Sequence, residues 1–131
     1  MKYKHATGKG LLQRGSGAIL MALATAVTAG GVPQSHIASP EVYKVLAEDQ
    51  QMRVIRATWQ PGQRDAMHSH PRLAAYSLTD CRFRIYRADG SSVVKSFRAN
   101  DGARVKGPTK KHSFENISEQ PCQTLLVEIK P

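Results

Sequence analysis

From Glu41 onward the chain is a succession of short runs rich in Val, Ile, Phe, Tyr and Thr, cut at intervals by turn-forming pairs. The runs predict strands near Glu41–Leu46, Met52–Trp59, Met67–Thr79, Arg82–Arg87, Ser92–Arg98, Ala103–Lys106, His112–Ile117 and Gln123–Lys130. Between them, Pro61-Gly62, Asp89-Gly90 and Asp101-Gly102 supply the fixed or positive φ angles that tight connections need, whereas Asp80-Cys81 lacks the expected glycine. Phe83 and Ile85 alternate with Arg82 and Arg84, the pattern of a strand with one face on a core and one in water. Short strands, regular turn signals and almost no helical periodicity predict an all-β fold, a jelly-roll barrel or sandwich, rather than an α/β arrangement.

A length of 131 residues, 40% of them hydrophobic, holds one such domain and a modest core. The formal charge of +9 suggests nucleic acid until it is divided along the chain, because Lys2, Lys4, Lys9 and Arg14 stand at the start and leave 15 Lys+Arg against 10 Asp+Glu elsewhere. Arg82, Arg84 and Arg87 share one segment with Phe83 and Tyr86, but charge of this kind speaks to solubility rather than to a site, so no nucleic-acid partner is expected.

The N-terminus reads as a basic stretch through Arg14, an apolar run from Gly17 to Ala29, and small residues before Gly30-Gly31. That order predicts a secretory signal peptide over residues 1–29, a polar linker over 30–40 and the barrel domain over 41–131. The apolar run is short of the roughly 20 residues that span a bilayer as a helix, so no permanent membrane span is expected. An uncleaved anchor and a disordered basic tail are the alternatives. With a cleaved signal the protein is periplasmic or secreted, and Cys81 and Cys122 would meet an oxidising compartment.

In a strand, alternate side chains share a face, so His68 and His70 point the same way and can converge on one ion. A lone His-x-His also fits a polar strand edge, or a core pair satisfied by hydrogen bonds. His112 is the remaining histidine of the strand region, since His5 falls in the predicted signal and His36 in the linker. Three neutral imidazoles suit a borderline divalent metal, namely Fe, Mn, Zn, Ni or Cu.

These residues resemble a known family. Gly62, five residues, then His68-Ser-His70 matches the first half of the first cupin motif, and His112-Ser-Phe-Glu-Asn116 matches the H-x(3)-N ending of the second. With Trp59-Gln-Pro-Gly62, Tyr76-Ser-Leu-Thr-Asp80 and Leu126-Val-Glu-Ile-Lys130, the stretch from Glu41 to Lys130 is similar to the small single-domain cupins often labelled beta-alanine degradation proteins. The resemblance implies a cupin barrel with metal ligands His68, His70 and His112.

It also shows departures. A metal-binding cupin usually carries a glutamate three or four residues after the second histidine, where this chain has Ala74 and Ala75, and the turn before the third histidine reads Gly107-Pro-Thr-Lys-Lys. Glu115 and Asp65 stand at odd spacings from His112 and His68, on the opposite strand face, and are poor substitutes. An all-histidine site resembles the three-histidine iron centres of thiol dioxygenases more than the oxalate-processing cupins, and its uncompensated charge favours an anionic ligand. Arg64 and Arg72 flank the motif as candidates to steer such an anion, or as solvated surface arginines. Tyr76, at an even spacing from His70, is a candidate proton donor facing the cavity, or a lining aromatic. Trp59 and Phe114 read as core and Asn116 as a local backbone partner.

In the cupin barrel the strands of the two motifs pair, which implies that the ends near Cys81 and Cys122 are neighbours and predicts a disulfide between them. Three readings of function follow: a metal-dependent enzyme acting on a small organic molecule by oxygenation, isomerisation or decarboxylation; a non-catalytic periplasmic module binding a small molecule or a metal; and an accessory protein in a cupin-like homodimer.

Overall fold

The computed structural model describes residues 31–131, so the predicted signal peptide lies outside the described residues. A four-residue helix, α1 (Ser35–Ala38), precedes nine strands: β1 (Tyr43–Glu48), β2 (Met52–Trp59), β3 (His68–His70), β4 (Arg72–Ser77), β5 (Cys81–Arg87), β6 (Ser92–Phe97), β7 (Arg104–Lys106), β8 (Thr109–Asn116) and β9 (Cys122–Ile129). They form two antiparallel sheets, one ordered β1-β2-β9-β4-β7 and the other β3-β8-β5-β6. The fold is all-β, as the alternation and turn signals predict, and Gly62, Gly90 and Gly102 take the left-handed conformation with φ of 75°, 84° and 80°. Among the described residues no helix is long and apolar enough to cross a membrane.

Alternation explains what each strand buries. On β2 the inward residues are Arg53, Ile55, Ala57 and Trp59, and on β9 they are Cys122, Thr124, Leu126 and Glu128, paired as Arg53–Glu128, Ile55–Leu126, Ala57–Thr124 and Trp59–Cys122. The inner face is therefore apolar through its middle and charged at one end. Phe83 and Ile85 of β5 close the core from the second sheet, while Arg82 on the same strand stays exposed. The aromatic rings meet edge to face, with centroids 4.9 Å apart for Trp59 and Phe83 and 5.2 Å for Phe83 and Phe114, the arrangement their quadrupoles favour.

The predicted strand Met67–Thr79 is two strands. Pro71 has no N–H to continue a ladder, and at that residue the chain leaves the sheet of β8 for the sheet of β9. The crossing resets the parity: His68 and His70 face inward on β3, but Leu73, Ala75 and Ser77 do so on β4. Tyr76 consequently points away from the interior, where its hydroxyl donates to Asn100 Oδ1 at 3.1 Å, which corrects the expectation that its ring faces the cavity.

The predicted linker is partly structured. Gln34 makes a parallel bridge to Ser69, whose backbone N–H donates to the Pro33 carbonyl at 2.9 Å and whose hydroxyl donates to the Val32 carbonyl at 3.0 Å. Residues 32–34 thus lie along the outer edge of β3.

Phe83 is 3% exposed and packs against three other aromatic rings, those of Trp59, Phe97 and Phe114, so Phe83→Ala leaves a cavity that the rigid sheets cannot close. The expected loss is about 3–5 kcal/mol, read from urea unfolding, against a loss under about 0.5 kcal/mol for an exposed change such as Arg82→Gln.

Candidate metal centre

The three histidines predicted from spacing come together. His68 and His70 project from the same face of β3, and His112 of β8 stands opposite His68 in the ladder. Between His68 and His70 one residue intervenes, while two separate Thr109 from His112 on the partner strand, so a bulge on β8 helps aim His112 inward. Ring centroids are 4.7 Å apart for His68 and His70, 4.6 Å for His68 and His112, and 5.2 Å for His70 and His112. One ligand nitrogen from each lies within 4.8 Å of the others.

Partner chemistry assigns the ring protons. His68 Nδ1 lies 2.8 Å from the Ala66 carbonyl, which can only accept, so Nδ1 carries the hydrogen and Nε2 is bare in the neutral ring. His70 Nδ1 lies 2.7 Å from Glu128 Oε1, and its Nε2 is bare by the same reasoning. These two bare nitrogens face each other at 3.0 Å. Nε2 of His112 is buried without a hydrogen-bond partner. Burial, then the His70 charge, lowers His68 to about 4, and burial followed by its two histidine neighbours lowers His112 to about 3. A cation at the meeting point of these nitrogens would take up the lone pairs that the neutral tautomers leave bare.

Sequence reasoning missed the groups that hold this cluster. Glu128 is fully buried; it accepts from His70 Nδ1 and from Arg53 Nη1 at 3.2 Å, and Arg53 in turn reaches Glu48 at 2.8 Å. A carboxylate behind a ligating imidazole fixes the tautomer and raises the basicity of the free nitrogen. Glu128 was detectable in principle, as a charged residue on the apolar parity of its strand. Asp65, 3% exposed, accepts from the Tyr43 hydroxyl at 2.7 Å, from Trp59 Nε1 at 3.0 Å and from the Phe114 N–H at 2.7 Å, and burial raises it to about 6. As expected from its spacing, Asp65 stands behind His68 rather than among the ligand nitrogens, 3.7 Å from Nδ1. Tyr43, 2% exposed, places its hydroxyl oxygen 3.2 Å from His68 Nε2.

A cavity of about 70 Å³ adjoins the histidines; His70 and His112, the apolar Leu73, Phe83, Phe97 and Leu126, and the cationic Arg104 and Lys106 are among the residues that line it. Arg104 lies over the Phe97 ring at 4.3 Å and donates to Ser77 Oγ at 3.0 Å. The arginines predicted from sequence are elsewhere. Arg64 stacks on Tyr86 at 3.5 Å and donates to Ser113 Oγ, and Arg72 is exposed at the start of β4; neither lines the cavity. Glu115 takes hydrogen bonds from Tyr86 and Arg84 on the outer face, away from the histidines. Ala75 lines the cavity wall and Ala74 does not, so no carboxylate enters at the position of the usual glutamate.

Asn116 is the local partner its motif suggests, donating to the Trp59 and Gln120 carbonyls. Cys81 and Cys122 open β5 and β9 as buried neighbours; the Cys81 thiol donates to the Thr79 carbonyl and the Cys122 thiol to Asn116 Oδ1. The predicted adjacency is present; both are free thiols here rather than the predicted disulfide.

No family model matches the sequence, and no curated protein matches it significantly. Solved structures do match in fold. A cupin domain from Bordetella pertussis Tohama I superposes with a TM-score of 0.63 at 17% identity, covering 76% of this chain and 97% of that one. A protein with a double-stranded beta-helix domain from Klebsiella pneumoniae matches at 0.51 and 20% identity over 66% and 75% of the two chains. A cupin superfamily protein from Desulfitobacterium hafniense matches at 0.51 and 11% identity over 69% and 77%. At such identities the likeness establishes the fold, and the fold is the cupin barrel, here with a His68, His70 and His112 cluster suited to a metal.

The lowered histidines set a pH dependence for the metal-free protein. Unfolded, they take up protons below about 6.5; folded, they resist until about 4 and about 3, so acidification through this window favours unfolding. Asp65, raised from 3.8 to about 6, works in the opposite direction, but one carboxyl stands against two imidazoles. The urea midpoint is expected to fall as pH drops from about 6.5 to about 4, and His112→Gln to flatten that fall.

Proposed function

We propose that this protein is a metal-dependent cupin enzyme, holding one divalent transition ion (Fe, Mn, Zn, Ni or Cu) through His68, His70 and His112 beside a cavity for a small anionic organic molecule. The observation that carries the reading is the 3.0 Å approach of two Nε2 atoms whose Nδ1 partners both leave them bare. Once bound, the ion supplies a Lewis acid that polarises and orients an oxyanion. Around it, Glu128 and the Ala66 carbonyl hold the rings, and the walls formed by Leu73, Phe83 and Leu126 keep out water. Arg104 and Lys106, not Arg64 and Arg72, are the cations placed to draw an anion in. Three neutral ligands leave the ion's charge uncompensated, which favours the same class of ligand.

A second reading, a non-catalytic binding module, is favoured by the small cavity and by alanine at the position of the usual glutamate. Metal analysis of untagged protein separates the possibilities. The expected result is about one equivalent of metal in the wild type, and substoichiometric metal in His68→Ala. Substoichiometric metal in both would end the metal reading. Metal retained with no turnover of oxygen or of small carboxylates would leave the binding module.

The order of basic stretch, apolar run and small residues supports export through cleavage near Ala29. In an oxidising compartment the adjacent Cys81 and Cys122 thiols would close into a disulfide, adding on the order of 4 kcal/mol by the chain-entropy argument. Intact mass of the mature protein is expected to be lower by two hydrogens than the reduced chain; an unchanged mass would count against the bond.

A further inference from the structure

The contact between Tyr43 and His68 repeats the problem posed by the two histidines. Tyr43 directs its O–H to Asp65 Oδ2 at 2.7 Å, which leaves the phenol oxygen no hydrogen for His68. His68 Nε2 has none to offer either, because its ring proton is on Nδ1 toward Ala66. The 3.2 Å separation of the Tyr43 oxygen and His68 Nε2 is therefore a second lone-pair-to-lone-pair contact on the same nitrogen. Both atoms are buried, and water has no evident room to mediate between them at that distance.

Resting on the metal reading above, we propose that Tyr43 is a fourth metal ligand, coordinating through its phenolate oxygen and supplying the anionic donor absent at Ala74 and Ala75. Donor atoms about 2.0–2.1 Å from an ion, at angles between octahedral and tetrahedral, lie about 2.9–3.4 Å from one another. The observed separations around His68 Nε2, 3.0 Å to His70 and 3.2 Å to Tyr43, fall in that interval. The proton balance is local: on coordination the phenolic hydrogen passes to Asp65 Oδ2, which already accepts it. Asp65 is itself held in place by Trp59 Nε1 and the Phe114 N–H, so the tyrosine oxygen is aimed before any ion arrives.

Tyr43 comes from β1, an edge strand of the larger sheet, whereas the histidines come from the smaller one. With a tyrosine ligand, the ion would join the two sheets.

Copper(II) is the probe, because it binds nitrogen and oxygen sites most tightly among these ions and its phenolate complexes absorb in the visible. Wild-type protein given one equivalent is expected to show a phenolate-to-copper charge-transfer band, with tyrosinate vibrations enhanced in Raman spectra excited within it. Tyr43→Phe is expected to lose the band and to bind copper about tenfold or more weakly, by analogy with other lost contacts at metal sites. Tyr86→Phe, which removes a phenol bonded to Glu115 on the outer face, is expected to keep the band. The Raman measurement needs no variant and decides the matter even where Tyr43→Phe fails to fold. Copper bound at the histidines without tyrosinate vibrations would overturn the proposal and leave the three-histidine reading standing. No copper bound at all would overturn both.

Discussion

Burying a carboxylate costs several kcal/mol unless its lone pairs are taken up by donors, and Glu128 is fully buried at the charged end of an otherwise apolar strand face. The cost is met by Arg53 on one side and His70 on the other. This pairing decides much else. It fixes the neutral His70 ring with Nε2 bare, it holds Arg53 inside the barrel with Glu48 and Gln34 among its further partners, and it ties β2 to β9 beside His70. A hydrophobic pair at these positions would pack as well and leave His70 without a fixed tautomer. The polar end of the core is better understood as support for the site than as a contribution to stability.

The legible part of the fold was whatever repeats along one strand or turns at one dipeptide. Period-two alternation placed Phe83 and Ile85, and the glycines after Pro61, Asp89 and Asp101 adopted the left-handed conformation their turns require. The His68, His70 and His112 cluster was legible because two of the histidines share a strand and the third sits in a motif. Parity across Pro71 was not, since one proline shifts the chain between sheets and inverts the face of everything after it; Tyr76 was lost there. Arg104 and Lys106 were illegible for a related reason, because their position depends on β7 pairing with β4 and nothing in a three-residue strand announces its partner. Tyr43 and Asp65 meet across 22 residues through packing rather than through any local pattern.

Two bare imidazole nitrogens in contact and an unpartnered His112 nitrogen leave the cluster's polar atoms unsatisfied in the neutral state, and burial, which holds His68 and His112 below the usual histidine range, keeps protons from relieving it at those two rings. The surrounding structure tolerates it because each ring is held from behind, by a carbonyl or a carboxylate.

Strand β3 contains only three residues, and it contributes two of the histidines from the exposed margin of its sheet. Left alone, such an edge would fray and offer its backbone to other chains. Residues 32–34 lie along it and take up both the N–H and the hydroxyl of Ser69, the residue between the two histidines. The short segment that sequence reading assigned to a linker thus serves as a splint, and shortening or lifting it would loosen the His68-Ser69-His70 backbone without altering a single histidine.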